Sequence, residues 1–288
     1  MLRSLTSAIS GLQSFQQRLD VIGNNVANVN TTGFKGARVG LSDSFSQTLR
    51  SSSAGTGGAS GVPAMQIGLG VGIQSISNLY TQGALSRTSV GTDLAITSAG
   101  YFMVKDPISS SEYVTRAGDF TVDETGYLVS NSGLRVQGFD DSTLTTIGDI
   151  LIDATGKPAT SDPTATMVSF AIDGEGKVNV NLTDGTQFVR AQLLLQNFSN
   201  PQGLMKEGNN LFSGIGAAGP LGGATSPTPA AAGTNGLGKI QAGALELSNV
   251  DLATEFTSLI TTQRAYQANA RVITTSDEML QELVNLKR

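Results

Sequence analysis

The chain has 288 residues, of which 39% are apolar and 6% aromatic, and its formal net charge is -5 at pH 7. It contains no cysteine and no histidine, which excludes disulfides, thiolate nucleophiles, imidazole bases and the usual zinc and haem ligands. The acidic balance argues against a nucleic-acid partner, because nucleic acid requires a basic surface. We therefore expect no catalytic site, no cofactor site and no metal site, and we do not expect an enzyme.

The N-terminus does not match a targeting or membrane segment. No apolar run approaches the roughly 20 residues that a membrane-spanning helix needs. Polar side chains at Ser4, Thr6 and Ser7 interrupt the apolar stretch that a secretory signal would require. We expect no membrane span, and any export from the cytoplasm would proceed without a cleaved signal peptide.

The first thirty residues carry apolar side chains in steps of three or four, as one face of a helix requires. These residues are Leu2, Leu5, Ile9, Leu12, Phe15, Leu19, Ile22, Val26 and Val29. The pattern predicts an amphipathic helix that ends near residues 28–30, where asparagines and Gly33 tolerate the left-handed backbone of a helix C-terminus. Residues 51–64 are rich in Ser, Gly and Ala and predict a mobile arm. Helix and arm form the first predicted segment, residues 1–66.

Residues 67–212 have the composition of a β-rich domain. Short apolar runs alternate there with Gly and Asp turn signals. The clearest strand is residues 177–182 (KVNVNL), which lies between two Asp-Gly pairs and predicts a three-stranded meander over 167–195. Residues 213–240 are rich in Gly, Ala and Pro and predict a flexible return linker.

The last predicted segment, residues 241–288, contains a second long helix. No Gly or Pro occurs from Ser248 to Arg288, and Ser248 is the expected N-cap, with Asp251 three residues further on. The residues of one face follow in alternating steps of four and three, which is a heptad seam. They are Leu252, Phe256, Leu259, Gln263, Tyr266, Ala270, Ile273, Asp277, Leu280 and Val284. A helix of about 36 residues would be roughly 50 Å long.

These elements predict an α+β fold in which the N- and C-terminal helices pair as a coiled-coil-like domain and a central all-β domain is looped out between them. Apolar stripes at both ends of one chain indicate assembly with copies of itself. We expect Ile22 and Leu259 to be exposed in the monomer and buried in the polymer. The predicted assembly interface comprises Leu5, Ile9, Leu12, Leu19, Ile22, Val26, Leu252, Phe256, Leu259, Tyr266, Ile273 and Leu280.

Other candidate motifs lack the surrounding sequence that a binding or catalytic site needs. The GIGAAG run at 214–219 lacks the helix that a dinucleotide site needs after it. Thr32 and Lys35 have the Ser/Thr-x-x-Lys spacing of some acyl-transfer nucleophiles, but no second motif completes it. The carboxylates that could contact a cation are better explained as turn residues, since no segment fits a calcium loop. They are Asp140, Asp141, Asp173 and Glu175.

Three asparagines, Asn24, Asn25 and Asn28, lie near the end of the first predicted helix. They could fix register through side-chain hydrogen bonds, or they could cap the helix end. The sequence leaves both interpretations open.

Several segments closely resemble the axial proteins of the bacterial flagellum, the family of rod, hook and hook-junction subunits. They include LDVIGNNVANVNTTGFKG at 19–36, YVTRAGDFTVDETGYLVSNSGLRVQG at 113–138, LLQNFSNPQGLMKEGNNLF at 194–212 and the run from ELSNVDLATEF at 246–256 to residue 286. The resemblance covers most of the chain in family order. It assigns Asn24, Asn25, Asn28, Thr32, Gly33 and Phe34 to a family motif.

The resemblance implies a structural subunit that is exported unfolded by the flagellar type III apparatus and stacks with its copies into a tube. Within the family the chain is most similar to hook subunits, which form an extracellular bendable joint between rod and filament. Distal rod subunits of the periplasmic basal body are the alternative, because the arm over 47–71 resembles theirs. The implied partners are further copies, the flagellar rod, hook-cap and hook-filament junction proteins, and the export apparatus.

A function of another class is also compatible with the β-rich middle of the chain. A surface adhesin, a carbohydrate-binding module or a histidine-free glycosidase with two carboxylates would have such a body. These proteins do not need complementary helices at both termini, so the heptad ends argue against them.

Overall fold

The computed structural model describes residues 2–52, 54–55, 60–158, 161–221 and 228–286. The chain divides into two compact units. A helical unit contains Met1–Ala27, Gly36–Leu79 and Val250–Arg288, and a β unit contains Asn28–Lys35 and Tyr80–Asn249. These boundaries differ from the four predicted segments, because residues 28–35 and 241–249 belong to the β unit and residues 67–79 belong to the helical unit.

The helical unit consists of two long helices and two pairs of antiparallel strands. In chain order its elements are α1 (Leu2–Ala27), β1 (Ala37–Asp43), β2 (Ser46–Arg50), β3 (Met65–Gly68), β4 (Val71–Asn78) and α2 (Leu252–Leu286). Strand β1 pairs with β4, and β2 pairs with β3. The sequence analysis missed β1 and β2, which lie inside the predicted segment 1–66.

Both predicted helices are present, and α2 is 35 residues long. The N-cap of α2 is Asp251, whereas the sequence had suggested Ser248. One carboxylate oxygen of Asp251 accepts a hydrogen bond from the Ala253 N–H at 2.9 Å, and the other accepts one from the Thr254 hydroxyl at 2.8 Å. The helix therefore begins three residues later than predicted, because a carboxylate next to the first turn satisfies its free N–H groups. Neither described helix is long and apolar enough to cross a membrane.

The two helices pack against each other in antiparallel directions. The Asn25 side chain donates a hydrogen bond to Glu255 at 3.1 Å. Further from this contact, a Cβ atom placed on Gly11 would lie 2.5 Å from Nδ2 of Asn269. Going from residue 25 back to 11 along α1 thus corresponds to going from 255 forward to 269 along α2.

The β unit is built around a twelve-stranded sheet. In chain order the strands of the unit are β5 (Leu85–Arg87), β6 (Leu94–Ile96), β7 (Tyr101–Lys105), β8 (Glu112–Thr115), β9 (Phe120–Val122), β10 (Leu128–Ser130), β11 (Arg135–Phe139), β12 (Ile147–Asp149), β13 (Met167–Ile172), β14 (Lys177–Leu182), β15 (Gln187–Gln196), β16 (Met205–Gly208), β17 (Leu211–Ser213), β18 (Ala230–Ala231), β19 (Ile240–Ala242) and β20 (Ala244–Glu246). The main path of the sheet follows the order β13-β14-β15-β11-β7-β8-β17-β16, and a short 3-10 helix, Pro201–Gly203, precedes β16. Two short pairs, β19 with β6 and β20 with β5, complete the unit.

The predicted meander is present as β13, β14 and β15, which pair in antiparallel order. Strand β14 buries Val178, Val180 and Leu182 on one side, as the alternation of its sequence indicates. These side chains join a large apolar cluster that includes Phe102 and Phe120, whose rings meet edge to face with centroids 5.1 Å apart. The sequence pattern thus located the part of the core that is built from local hairpins.

Residues 213–240 do not form a flexible linker over the part that is described. Ala218 is fully buried, Leu237 is buried, and β18 pairs with β15. Small side chains do not only permit flexibility, because they also allow a segment to pack closely on a sheet. Residues 222–227 of this segment lie outside the described residues, as do residue 53 and residues 56–59 of the predicted arm.

Candidate assembly interface

The helices of the helical unit contact their surroundings within the chain mainly through small and polar side chains. Ala8, Gly11 and Ser14 are buried on α1, and Thr262 and Ser276 are buried on α2. Such side chains let two helix backbones approach closely while burying little apolar surface. Most of the predicted apolar stripe is consequently only half-buried or exposed.

The predicted interface residues fall into three groups by exposure. Ile22 is buried, at 5% exposure, so the expectation that it would be exposed in the monomer is wrong. It fails because α1 already packs on other elements of the same chain. The exposed members are Ile9, Leu252, Phe256 and Tyr266. The half-buried members are Leu5, Leu12, Leu19, Val26, Leu259, Ile273 and Leu280.

Further apolar side chains extend this exposed surface along α2. They are Ile260, Val272, Met279, Leu283, Val284 and Leu286, each of which is exposed. Exposed apolar surface of this extent on a helix is typical of a protein-protein contact. The helical unit therefore leaves large apolar side chains exposed along α2.

One asparagine fixes the register of the helical unit. Asn25 is 2% exposed, its Nδ2 donates to the Ala37 carbonyl at 2.8 Å and to Glu255 at 3.1 Å, and its Oδ1 accepts from the Ala37 N–H at 2.9 Å. A single amide thus connects α1, β1 and the start of α2. Asn28 instead accepts from the Thr31 hydroxyl at 3.1 Å in the turn after α1. The contacts of Asn25 connect parts of one chain and Asn28 lies in the turn that follows α1, so a role of these asparagines in the register between copies stays a prediction.

The family-motif turn is part of the β unit. The Thr32 carbonyl accepts from Nδ2 of Asn210 at 2.8 Å, and the Gly33 N–H donates to the Glu246 carbonyl at 2.8 Å. Gly33 has a φ of 66°, and a Cβ on it would lie 2.6 Å from the backbone nitrogen of Ala117. Both conditions require glycine at this position. Phe34 is buried.

Next to this turn lies a buried ion cluster formed by Lys35, Arg116 and Glu246. The Lys35 Nζ is 2.7 Å from one carboxylate oxygen of Glu246, and Nη1 of Arg116 is 3.1 Å from the other. The side chains of Lys35, Arg116 and Glu246 are 1%, 5% and 0% exposed. Two basic groups therefore share one carboxylate in an environment that excludes water.

The ion cluster connects four separate parts of the chain. Glu246 also accepts from the Gly83 N–H at 2.8 Å, and Lys35 also donates to the Thr81 carbonyl at 2.8 Å. Arg116 donates through Nη2 to the Ser98 carbonyl at 2.8 Å. The carboxylate thus holds the motif turn, the segment before β5 and the strand β20 together.

Burial shifts the pKa of three groups in and around the cluster, which are Lys35, Lys206 and Tyr101. Burial lowers the pKa of Lys35, while the hydrogen bond and charge of Glu246 oppose this shift. Burial also lowers the pKa of Lys206, whose Nζ donates to the Lys35 carbonyl at 2.7 Å and lies 4.7 Å from the centroid of the Phe34 ring. Burial raises the pKa of Tyr101, whose ring lies 5.2 Å below the guanidinium of Arg116.

Sequence reasoning missed this cluster. Arg116 and Glu246 lie within the segments that resemble the flagellar family, but no pattern in the sequence relates them to Lys35. One local signal existed, because Glu246 shares a face of β20 with buried Ala244, two residues earlier. A carboxylate at an inward strand position needs a buried partner.

The other candidate motifs occupy turns or ion pairs. The Asp173 carboxylate accepts from the Glu175 N–H at 2.6 Å, and Asp141 accepts from Ser142 and Thr143, as turn residues do. Asp140 differs from the expectation, since its carboxylate pairs with the buried Arg190 at 3.4 Å. The run at 214–219 is a turn in which the Ala217 N–H donates to the Gly214 carbonyl. Among the described residues no cluster of acidic side chains is arranged to hold a metal ion.

Paired terminal helices with exposed apolar side chains, together with a β unit closed by a buried ion cluster, define a structural subunit suited to association. Three family models match the chain. The flagella basal body rod protein model matches residues 5–35, the flagellar hook protein FlgE/F/G D1 domain model matches 95–186, and the flagellar basal body rod FlgEFG protein C-terminal model matches 241–286.

Relatives match along the whole chain. The flagellar basal-body rod protein FlgG of Bacillus subtilis is 42% identical over 288 residues, with both chains fully covered. The FlgG of Buchnera aphidicola from Acyrthosiphon pisum is 37% identical, over 99% of this chain and all of its own. The flagellar hook protein FlgE of Borreliella burgdorferi is 28% identical over an alignment of 449 positions that covers both chains fully. The chain belongs to the flagellar rod and hook family, and it is an axial structural protein rather than an enzyme.

Proposed function

We propose that this chain is the distal rod subunit of the flagellar basal body and not the hook subunit that the sequence analysis preferred. The observation that carries the proposal is the end-to-end match to the Bacillus subtilis rod protein, at 42% identity over 288 residues. The match to the Borreliella burgdorferi hook protein is weaker, at 28%, and it extends over 449 positions. A 288-residue chain aligned over 449 positions must leave gaps opposite additional hook sequence.

The described fold supports the same assignment. A single β unit lies in sequence between the two terminal helices. Strands β2 and β3, which lie in the arm over 47–71 that resembles the rod version, pair with each other and are exposed. A hook subunit with additional length would carry a further insertion in its middle.

The subunit acts by polymerising with its own copies into a tube. Exposed apolar residues of α1 and α2, including Ile9, Phe256 and Ile260, are the surface that neighbouring copies cover. Each large apolar side chain contributes roughly 1.5–3 kcal/mol when it is buried. The proposed partners are further copies and the adjoining rod and hook proteins, the proposed location is the periplasmic part of the basal body, and export is by the type III apparatus.

Electron microscopy of basal bodies from a strain that lacks this gene tests the assignment. Each axial part is added beyond the previous one, so loss of a distal rod subunit should remove both the distal rod and the hook. Particles that keep a full-length rod and lack only the hook would contradict the proposal and restore the hook assignment. Complementation with the intact gene is the control.

A further inference from the structure

The buried ion cluster contains more basic groups than acidic ones. Lys35 and Arg116 share the single carboxylate of Glu246, and all three side chains are at most 5% exposed. The Nε atom of Arg116 is buried and has no hydrogen-bond partner among the described residues. An unpartnered donor on a buried cation is costly, because its loss of hydration is not compensated.

Arg116 is one of the residues that line a pocket of about 230 Å³. Polar side chains of Gln82, Ser98, Tyr101, Arg116 and Asn197 line it, and none of the described residues in its wall carries a carboxylate. Liquid water occupies about 30 Å³ per molecule, so the pocket has room for a carboxylate group and several waters. Its wall offers hydrogen-bond donors and a positive charge, which suits an anion.

We propose that this pocket binds a side-chain carboxylate of a second copy of the chain, which pairs with Arg116. A carboxylate there would balance the two basic groups of the ion cluster. Charge complementarity identifies the partner, since the chain has 23 acidic residues against 18 basic ones and so presents an excess of carboxylates to its neighbours. The inference rests on self-assembly of the subunit and holds for a rod or a hook.

Substitution of Ser98 allows the chain to supply the carboxylate itself. Ser98 is exposed, lines the pocket, and its carbonyl already accepts from Arg116 at 2.8 Å. Ser98→Glu should therefore place a carboxylate beside the guanidinium, and Ser98→Gln is the uncharged control of equal size. We expect the Ser98→Glu monomer to melt about 2–4 °C higher than the Ser98→Gln monomer, the shift of a modest stabilisation in a chain of this size.

Propionate, which reproduces the end of a glutamate side chain, probes the unmodified protein. At equal ionic strength, sodium propionate should raise the melting temperature of the wild-type monomer above its value in sodium chloride. It should have no such effect on Ser98→Glu. Equal melting temperatures of the wild type in both salts would overturn the carboxylate site without requiring any variant to fold.

Polymerisation distinguishes a neighbour's carboxylate from a free anion. If a second copy supplies the carboxylate, the critical concentration for tube formation should be about tenfold higher for Ser98→Glu than for Ser98→Gln. A propionate effect combined with equal critical concentrations would identify a site for free anions and overturn the assignment to a neighbour. Tubes that still form in either case would leave the proposed rod function intact.

Discussion

The β unit buries large apolar side chains in its core, whereas the helical unit leaves many of its large apolar side chains exposed. In the β unit two clusters of buried side chains fill the space around the sheet, including Phe102, Phe120, Phe198 and Phe212. In the helical unit the buried apolar side chains among the described residues are Ala8, Ile22 and Val39. Large apolar residues such as Phe45, at 83% exposure, remain outside.

This difference indicates that a single chain stabilises its β unit by itself, whereas its helical unit depends on contacts with neighbouring copies. A closed core stabilises the β unit without help, because burial of apolar surface is the main favourable term in folding. Long helices gain most of their stability from packing an apolar face, and a large part of that face is still exposed here. We infer that the β unit is stable in the monomer and that the helical unit becomes fully stable only in the polymer.

The largest expected effect comes from removing the shared carboxylate of the β unit. Glu246→Gln leaves Lys35 and Arg116 buried without a counter-charge, and breaking a buried ion pair costs about 3–5 kcal/mol. Urea unfolding of the monomer, followed by the near-ultraviolet circular dichroism of its tyrosines, measures the change. The denaturant dependence of the free energy should stay constant, so that the midpoint reports stability.

Glu175→Gln is the matched control for this prediction. Glu175 pairs with Lys177 at 2.7 Å, but its side chain is 59% exposed. Water screens such a pair, so the substitution should change the unfolding midpoint little. Equal destabilisation by Glu246→Gln and Glu175→Gln would mean that the ion cluster does not hold the β unit together.

The sequence identified the elements whose signals are local. The spacing of apolar residues predicted α1 and α2, and the alternation of Val178, Val180 and Leu182 predicted the meander. The ion cluster could not be read in this way, because Lys35 and Arg116 lie 211 and 130 residues from Glu246 along the chain. Only the tertiary fold brings these residues together.

The spacing of apolar residues along a helix also does not show which element covers the apolar face. It placed Ile22 correctly on the apolar stripe of α1, but it could not show that the same chain buries this residue. The buried positions of α2, Thr262 and Ser276, carry no apolar signal at all. The sequence therefore located the helices and part of their exposed surface, and it missed the small polar contacts between them.

A second prediction concerns the exposed apolar surface of α2. Phe256 is 49% exposed, so Phe256→Asp should leave the unfolding midpoint of the monomer nearly unchanged. In the polymer the substitution forfeits roughly 1.5–3 kcal/mol of burial per contact, which corresponds to at least about a tenfold rise in the critical concentration. Light scattering during polymerisation and electron microscopy of the product measure the effect.

Two further variants are controls for Phe256→Asp. Gln267→Asp introduces the same charge at an exposed polar position of α2 and should polymerise almost normally. Ile22→Asp should already destabilise the monomer, because Ile22 is buried within the chain. Normal tubes from Phe256→Asp would exclude this part of α2 from the assembly interface.

The smallest effect is expected at the first turn of α2, where the helical unit depends on an exposed cap. The hydrogen bond from the Thr254 hydroxyl, with that from the Ala253 N–H, lowers the pKa of Asp251. Since this carboxyl has a lower pKa in the folded chain than in the unfolded chain, its contribution to stability is present above the unfolded value of about 3.8. The contribution is lost as the pH falls through the folded value.

Asp251→Asn keeps an accepting oxygen but does not titrate, so the difference in urea midpoint between wild type and variant should shrink in that acid range. Near neutral pH, Ser248→Ala should lower the urea midpoint less than Asp251→Ala, because Asp251 caps α2; a larger loss from Ser248→Ala would place the cap at Ser248 as the sequence had suggested.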